Sequence, residues 1–185
     1  MGIARHLAAL VREDRWCRAG AGRTVDRQHA CEGAPLGSGL KKGEWQEAIG
    51  RSRGGRTCKV HCLADDRGRP VAIALTPGNV ADISMAVPLL SVTAPARRLI
   101  GDKAYDANSL RRWLAERRIK AVIPSTASRR TPYPLNRRIY RRRNVIERLF
   151  CRLKNWRRIA TRYDRYATNY LAAIALVATI AEWIK

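Results

Sequence analysis

Tyr140, Arg143, Glu147 and Lys154 are the residues whose types and spacing best suit joint chemistry. Their segment reads as one long helix from about Arg138 to Arg158. At ~100° per residue, Ile139, Ile146, Leu149, Phe150 and Leu153 share one stripe, which is the expected core face. With Ile146 at zero, Tyr140 falls at about 120°, Arg143 at about 60°, Lys154 at about 80° and Glu147 at about 100°. The four therefore lie within an arc of roughly 60° beside the buried stripe. A lone carboxylate in that setting can be the i,i+4 ion-pair partner of Arg143, worth about 0.3–0.5 kcal/mol. It can equally hold a divalent ion, flanked by phosphate-binding groups, where that ion meets a phosphodiester. Spacing alone leaves both open.

Two other sets of residues invite a chemical role. Arg97 to Gly101 reads as a short strand ending on Asp102, at a sheet edge where a catalytic carboxylate can sit. Asp102 can also be a turn or N-cap residue, although Asp106 fits a cap better because Ala107 begins the next helix. Cys58, His61 and Cys62 suggest zinc, but they fall in an apolar run, Thr57 to Ala64, that reads as a strand. There Cys58 and Cys62 would be roughly 13 Å apart, too far to share one ion at ~2.3 Å from each sulfur. Buried thiols are the expectation. The five cysteines are odd in number and irregularly spaced, which is no disulfide framework.

The elements that must position these groups follow from the sequence pattern. Thr57–Ala64 and Pro70–Thr76 are apolar runs joined by Asp65-Asp66-Arg67-Gly68-Arg69, a hairpin signal. Asp82 to Leu90 reads as a short helix with Asp82 as its cap, Ala107 to Arg118 as a second helix, and Ile119 to Ile123 as a strand. Ser125 to Asn136 is a turn-rich basic loop, and the apolar stretch from about Ala167 to Ile184 should be a helix packed on the core. Before residue 56 the pattern is poor, with one expected strand at Arg23 to Arg27. The whole reads as α/β, a mixed sheet flanked by helices.

Charge narrows the partner. The 185 residues carry 37 Lys and Arg against 15 Asp and Glu, a formal charge of +22, with 46% hydrophobic residues. That composition supports a core, and self-repulsion at this charge calls for a polyanion. Nucleic acid is the first expectation and an anionic membrane surface the second. Twelve basic residues and two acids fall between Arg137 and Arg165, so the charge is concentrated around Glu147. The longest apolar run, Tyr170 to Ala181, is too short for a membrane span, which needs about 20 residues. The stretch His6 to Val11 is too short for a signal sequence, so a cytoplasmic location is expected.

The spacing Tyr140-x2-Arg143-x3-Glu147-x6-Lys154 resembles the Y-R-E-K signature of bacterial insertion-sequence transposases of the Asp-Asp-Glu type, and among them the insertion sequence five family. Gly101-Asp102-Lys103-Ala104-Tyr105-Asp106 resembles the block around that family's second catalytic Asp. The run Gly50 to His61 and the segment Leu75-Thr76-Pro77-Gly78-Asn79 are similar to it as well. The resemblance covers roughly residues 41–185, a catalytic-type domain, and leaves residues 1–40 as a poorly matched, partly disordered segment. It implies a ribonuclease H-like fold, with two Asp and one Glu holding two divalent ions, Mg²⁺ or Mn²⁺. Asp102 would be the second Asp and Glu147 the Glu, both metal ligands. Tyr140, Arg143 and Lys154 would contact DNA. Implied partners are double-stranded DNA, both terminal inverted repeats and target DNA, and a second copy in a homodimer.

The sequence departs from that family at the first Asp. Gly22-Arg23-Thr24-Val25 is the nearest match to its first-strand block, and Gly22 takes the catalytic position. Asp26 is the remaining candidate, four residues on, and serves only if the strand register differs. The family's amino-terminal helical DNA-binding region is also not recognisable, as in a copy truncated at that end. Metal-dependent cleavage of element ends with strand transfer is therefore expected, with a catalytically defective DNA-binding remnant as the alternative. A ribosomal-type RNA binder would satisfy the charge but would not require Asp102 or Glu147.

Overall fold

The computed structural model describes residues 6–13, 47–52 and 55–184. Asp26, Gly22 and the expected strand Arg23 to Arg27 lie outside the described residues.

The sheet is mixed, with six strands among the described residues. They are β1 (His6–Glu13), β2 (Gly50–Ser52), β3 (Gly55–Ala64), β4 (Pro70–Pro77), β5 (Arg98–Gly101) and β6 (Lys120–Val122). The β3–β4 hairpin forms as the alternation of apolar runs and turn residues predicts, with Val60 opposite Leu75 and Cys62 opposite Ile73. β1 has no counterpart in the sequence reading. It runs parallel to β3 and antiparallel to β5, with Leu10 opposite Gly101, and so joins the hairpin to the parallel pair β5–β6.

Strand periodicity divides the core into two layers. Cys58, Val60, Cys62 and Ala64 of β3, with Ile100 of β5, face one side. Leu63 and Leu99 face the other. The first side is covered by α4 (Asn144–Lys154), α5 (Arg157–Ala160) and α6 (Ala167–Glu182). The second is covered by α1 (Ala86–Ser91) and α2 (Asn108–Glu116), through Leu90, Leu110 and Leu114. Covering both faces explains why Cys62-Leu63-Ala64 at the end of β3 and Leu99-Ile100 of β5 are continuously apolar rather than alternating.

Two expectations need correction. Asp82 does not cap a helix. It lies inside a 3₁₀ turn, Asp82–Met85, that leads into α1, and its carboxylate pairs with the Lys59 ammonium at 2.9 Å. The long basic helix is segmented. Asn136 caps α3 (Arg137–Tyr140) by accepting the Ile139 N–H, a 3₁₀ turn spans Arg141–Arg143, and α4 stops at Lys154. Trp156 is extended, at φ −86° and ψ 110°, which lets the chain reverse so that buried Ile159 and then α6 return to the core. The expected last helix does form as α6 and packs on the core by one side. Tyr170, Ile174, Val177 and Ala178 are covered, whereas Leu176 is 62% and Ile180 42% exposed. No helix among the described residues is long and apolar enough to cross a membrane.

Candidate functional site

The stripe Ile146, Leu149, Phe150 and Leu153 is buried as helical periodicity requires, and Ile139 packs against the same cluster. Because that side of α4 is held by the sheet, its neighbouring side emerges at a defined angle. Glu147 is on it, with a side chain 56% exposed. Arg143 Nη2 donates to Glu147 Oε1 at 2.6 Å. The ion pair anticipated from i,i+4 spacing is therefore formed. At about 0.3–0.5 kcal/mol for an exposed pair, it is weak enough for a stronger ligand of either partner to displace it.

The 3₁₀ turn alters the geometry around Tyr140. Three residues at ~120° instead of ~100° rotate Tyr140 by roughly 60° toward the Ile146 stripe. Tyr140 is accordingly half-buried and packs against the core, instead of standing on the exposed side with Glu147. The same tightening tends to eclipse positions three apart, and the Arg143 guanidinium sits 5.7 Å from the Tyr140 ring centroid.

Asp102 reaches this place from the sheet. It follows Gly101, the last residue of β5, and its Oδ1 accepts the Lys103 N–H at 2.6 Å, so it does cap the turn Lys103–Tyr105. β5 contacts the turn Arg141–Arg143. Tyr140 directly precedes that turn, and its hydroxyl is shifted there. Its pKa is raised, mainly by burial, with Arg143 lowering it and the charges of Asp102 and Glu147 raising it further. The β5 contact thus brings the strand end before Asp102 to the continuous segment that carries Tyr140, Arg143 and Glu147. Lys154 stands exposed at the far end of α4.

Antiparallel register carries β1 past the Asp102 end of β5 with Leu10 and the residues before it, none of them acidic. Its single acid, Glu13, is opposite Arg98 at the other end of β5. Among the described residues no group of three His, Cys, Asp or Glu is placed to hold a metal ion. The zinc-like set behaves as strand geometry requires. Cys58 and Cys62 are buried on one face of β3, and burial pushes the Cys62 thiol up to about 12. His61 faces the opposite side, with Nε2 2.7 Å from Thr76 Oγ1.

Asp106 is the residue that sequence reasoning misjudged. It caps no helix, since Ala107 holds the N-cap position of α2 without a side-chain bond. Its side chain is fully buried. Arg111 Nε donates to it at 2.8 Å, Arg129 Nε and Nη2 at 3.0 Å each, and the Thr126 N–H at 2.8 Å. Burial alone would raise its pKa, but hydrogen bonds from Arg129, Thr126 and Arg111 outweigh that and hold the carboxyl well below the usual range. The cue available in the sequence was two turn-flanking arginines with one nearby acid, too common a pattern to single out.

Comparison with known proteins identifies the family. The chain matches the transposase DDE domain family over residues 15–181. It is 33% identical over 130 residues to a putative transposase for insertion sequence element IS6501 from Brucella ovis, across 70% of this chain and 99% of that relative. It is 33% identical over 136 residues to a putative transposase for insertion sequence element IS402 from Burkholderia cepacia, across 68% of this chain and 62% of that relative. No solved structure matches.

Proposed function

Because the chain belongs to the transposase DDE domain family, we propose that it cleaves the ends of an insertion sequence in a metal-dependent reaction and transfers the strand into target DNA. One observation carries the proposal: β5, which Asp102 directly follows, contacts the Arg141–Arg143 turn that leads into Glu147 on α4, in a segment rich in arginine. The Y-R-E-K spacing, the Gly101–Asp106 block and the run Gly50 to His61 support placement in the insertion sequence five group. A mixed sheet with helices on both faces, and an Asp at a strand end, supports a ribonuclease H-like arrangement.

The donor set suits a hard divalent cation. Mg²⁺ keeps several waters and needs only one or two carboxylates beside a substrate phosphate, and Asp102 with Glu147 fits that requirement. Mn²⁺ has similar preferences. When bound, such an ion would lower the pKa of water and stabilise charge on the phosphoryl oxygens. A second ion would need a further carboxylate, for which Asp26 is the candidate.

Arg143 has two tasks in this scheme. It neutralises Glu147 in the free protein and turns to a DNA phosphate when Glu147 takes a cation, since the pair costs little to part. Lys154 supplies a point charge to the same backbone, and half-buried Tyr140 orients the strand. The partners are double-stranded DNA, as terminal inverted repeats and as target, and a second copy of the chain to hold the other end. The location is the cytoplasm.

Glu147→Gln is the decisive variant. Strand cleavage with Mg²⁺ or Mn²⁺ on element ends should be abolished, while duplex DNA binding is kept or strengthened because a negative charge beside phosphate is gone. Cleavage that persists in both Glu147→Gln and Asp102→Asn would overturn the assignment. DNA binding by the unaltered chain without any metal-dependent cleavage would favour a non-catalytic binding role. Loss of cleavage in Asp26→Ala would identify the third carboxylate.

A further inference from the structure

A second basic feature lies apart from Glu147, between α2 and the loop of residues 125–136. It is an open groove of about 620 Å³ whose walls include Asn108, Arg111, Arg112, Arg129, Arg130 and Tyr133. No carboxylate lines it among the described residues, and the buried Asp106 beneath offsets only one of its four guanidinium charges.

The four arginines divide into two pairs. Arg111 and Arg129 are spent on Asp106, with side chains only 10% and 16% exposed, and they form rigid walls. Arg112 and Arg130 are exposed, one on each side of the groove, and neither pairs with a carboxylate among the described residues. Tyr133 is 46% exposed. Its ring is 4.1 Å from the Arg111 guanidinium and 5.0 Å from that of Arg129, and its N–H donates to Ser125 Oγ at 2.9 Å. A half-exposed aromatic surface is thus held in place between two unspent cations.

The groove also has a defined position relative to Asp102. β5 and β6 are parallel, so their carboxyl ends lie at the same sheet edge. Asp102 follows β5, and the loop that forms one wall follows β6. Asp106, which ties that loop to α2, is four residues beyond Asp102.

We propose that this groove is a second DNA contact, which holds the sugar-phosphate backbone of duplex DNA beyond the proposed catalytic carboxylates. Arg112 and Arg130 take phosphates, because a guanidinium presents paired donors matched to a phosphate's oxygens. The Tyr133 ring packs against deoxyribose, the apolar part of the backbone. The ligand class rests on the transposition reading above. The groove itself rests on its own geometry.

The test is fluorescence anisotropy with a labelled random-sequence duplex, titrated over a range of salt concentrations. The unaltered protein should show a steep log–log dependence, about −0.9 for each phosphate neutralised. In R112A/R130A, two exposed truncations checked for fold by circular dichroism, the slope should become shallower by about 1.8. In Y133A the affinity for DNA should fall at every salt concentration with the slope unchanged, while affinity for polyphosphate, which has no sugar, stays the same. An R112A/R130A slope equal to that of a steep wild type overturns the groove and leaves the DNA-binding reading standing. A flat wild-type response overturns that reading first. Equal loss of DNA and polyphosphate binding in Y133A overturns the deoxyribose contact.

Discussion

A carboxylate without solvent contact must be compensated by its neighbours, and Asp106 is compensated by two arginines and a backbone amide. Removing its charge while keeping its shape strands two largely buried guanidinium groups. Asp106→Asn should therefore destabilise the protein by about 3 kcal/mol, the lower end of the range for breaking a buried pair, as read by urea denaturation. Faster proteolysis within residues 125–136 should accompany it. His61 gives a pH signature. Burial, above all, lowers its pKa to about 4, with Asp82 opposing and Lys59 assisting. The unfolded chain, with a His pKa near ~6.5, then binds a proton between those values that the folded chain does not. Stability is full above pH ~6.5 and is lost as pH falls toward ~4, by on the order of 3 kcal/mol in total. Thermal melts between pH 7.5 and 4.5 should slope for the natural chain and flatten in His61→Gln; equal slopes would assign the effect elsewhere. Neither role could be read from residue type, because both arise from burial against partners distant in sequence.

At the scale of elements, the β3–β4 hairpin was legible because its instructions are local. Asp65 Oδ1 accepts the N–H groups of Arg67 and Arg69, and Gly68 adopts φ +87°, a left-handed conformation that glycine enters freely. A Cβ on Gly68 would also meet Val145 Cγ1 at 2.6 Å, since the turn abuts the start of α4. Gly68→Ala should cost about 1–3 kcal/mol by chemical denaturation, from backbone strain and the forced contact together. The basic helix was less legible. Its apolar period gave the buried side correctly. The 3₁₀ turn at Arg141–Arg143 and the stop at Lys154 depend on contact with β5 and on the return of α6 to the sheet. That turn moves Tyr140 from an exposed arc to a half-buried position, a change no fixed 100° step can anticipate.

For the whole molecule, a charge of +22 opposes compaction unless it is screened or neutralised. In the absence of DNA, the melting temperature should rise as sodium chloride is raised from low to physiological levels, where the Debye length shortens to ~8 Å. An unchanged melting temperature would mean that the charges are spread too widely to repel. The sequence by itself determined the family, the partner class and the apolar sides of the elements, because composition, spacing and periodicity are properties of the chain. It also marked Asp102 and Glu147 as the carboxylates to watch. Only the tertiary structure decided that the strand end before Asp102 meets the turn leading into the helix of Glu147. It likewise decided that Asp106 binds a loop instead of capping a helix, and that a strand with no acid near Asp102 runs beside β5. The reason is physical. Periodicity encodes which side of an element is buried, whereas the meeting of groups far apart in the chain depends on how the layers pack, and local pattern does not carry that information.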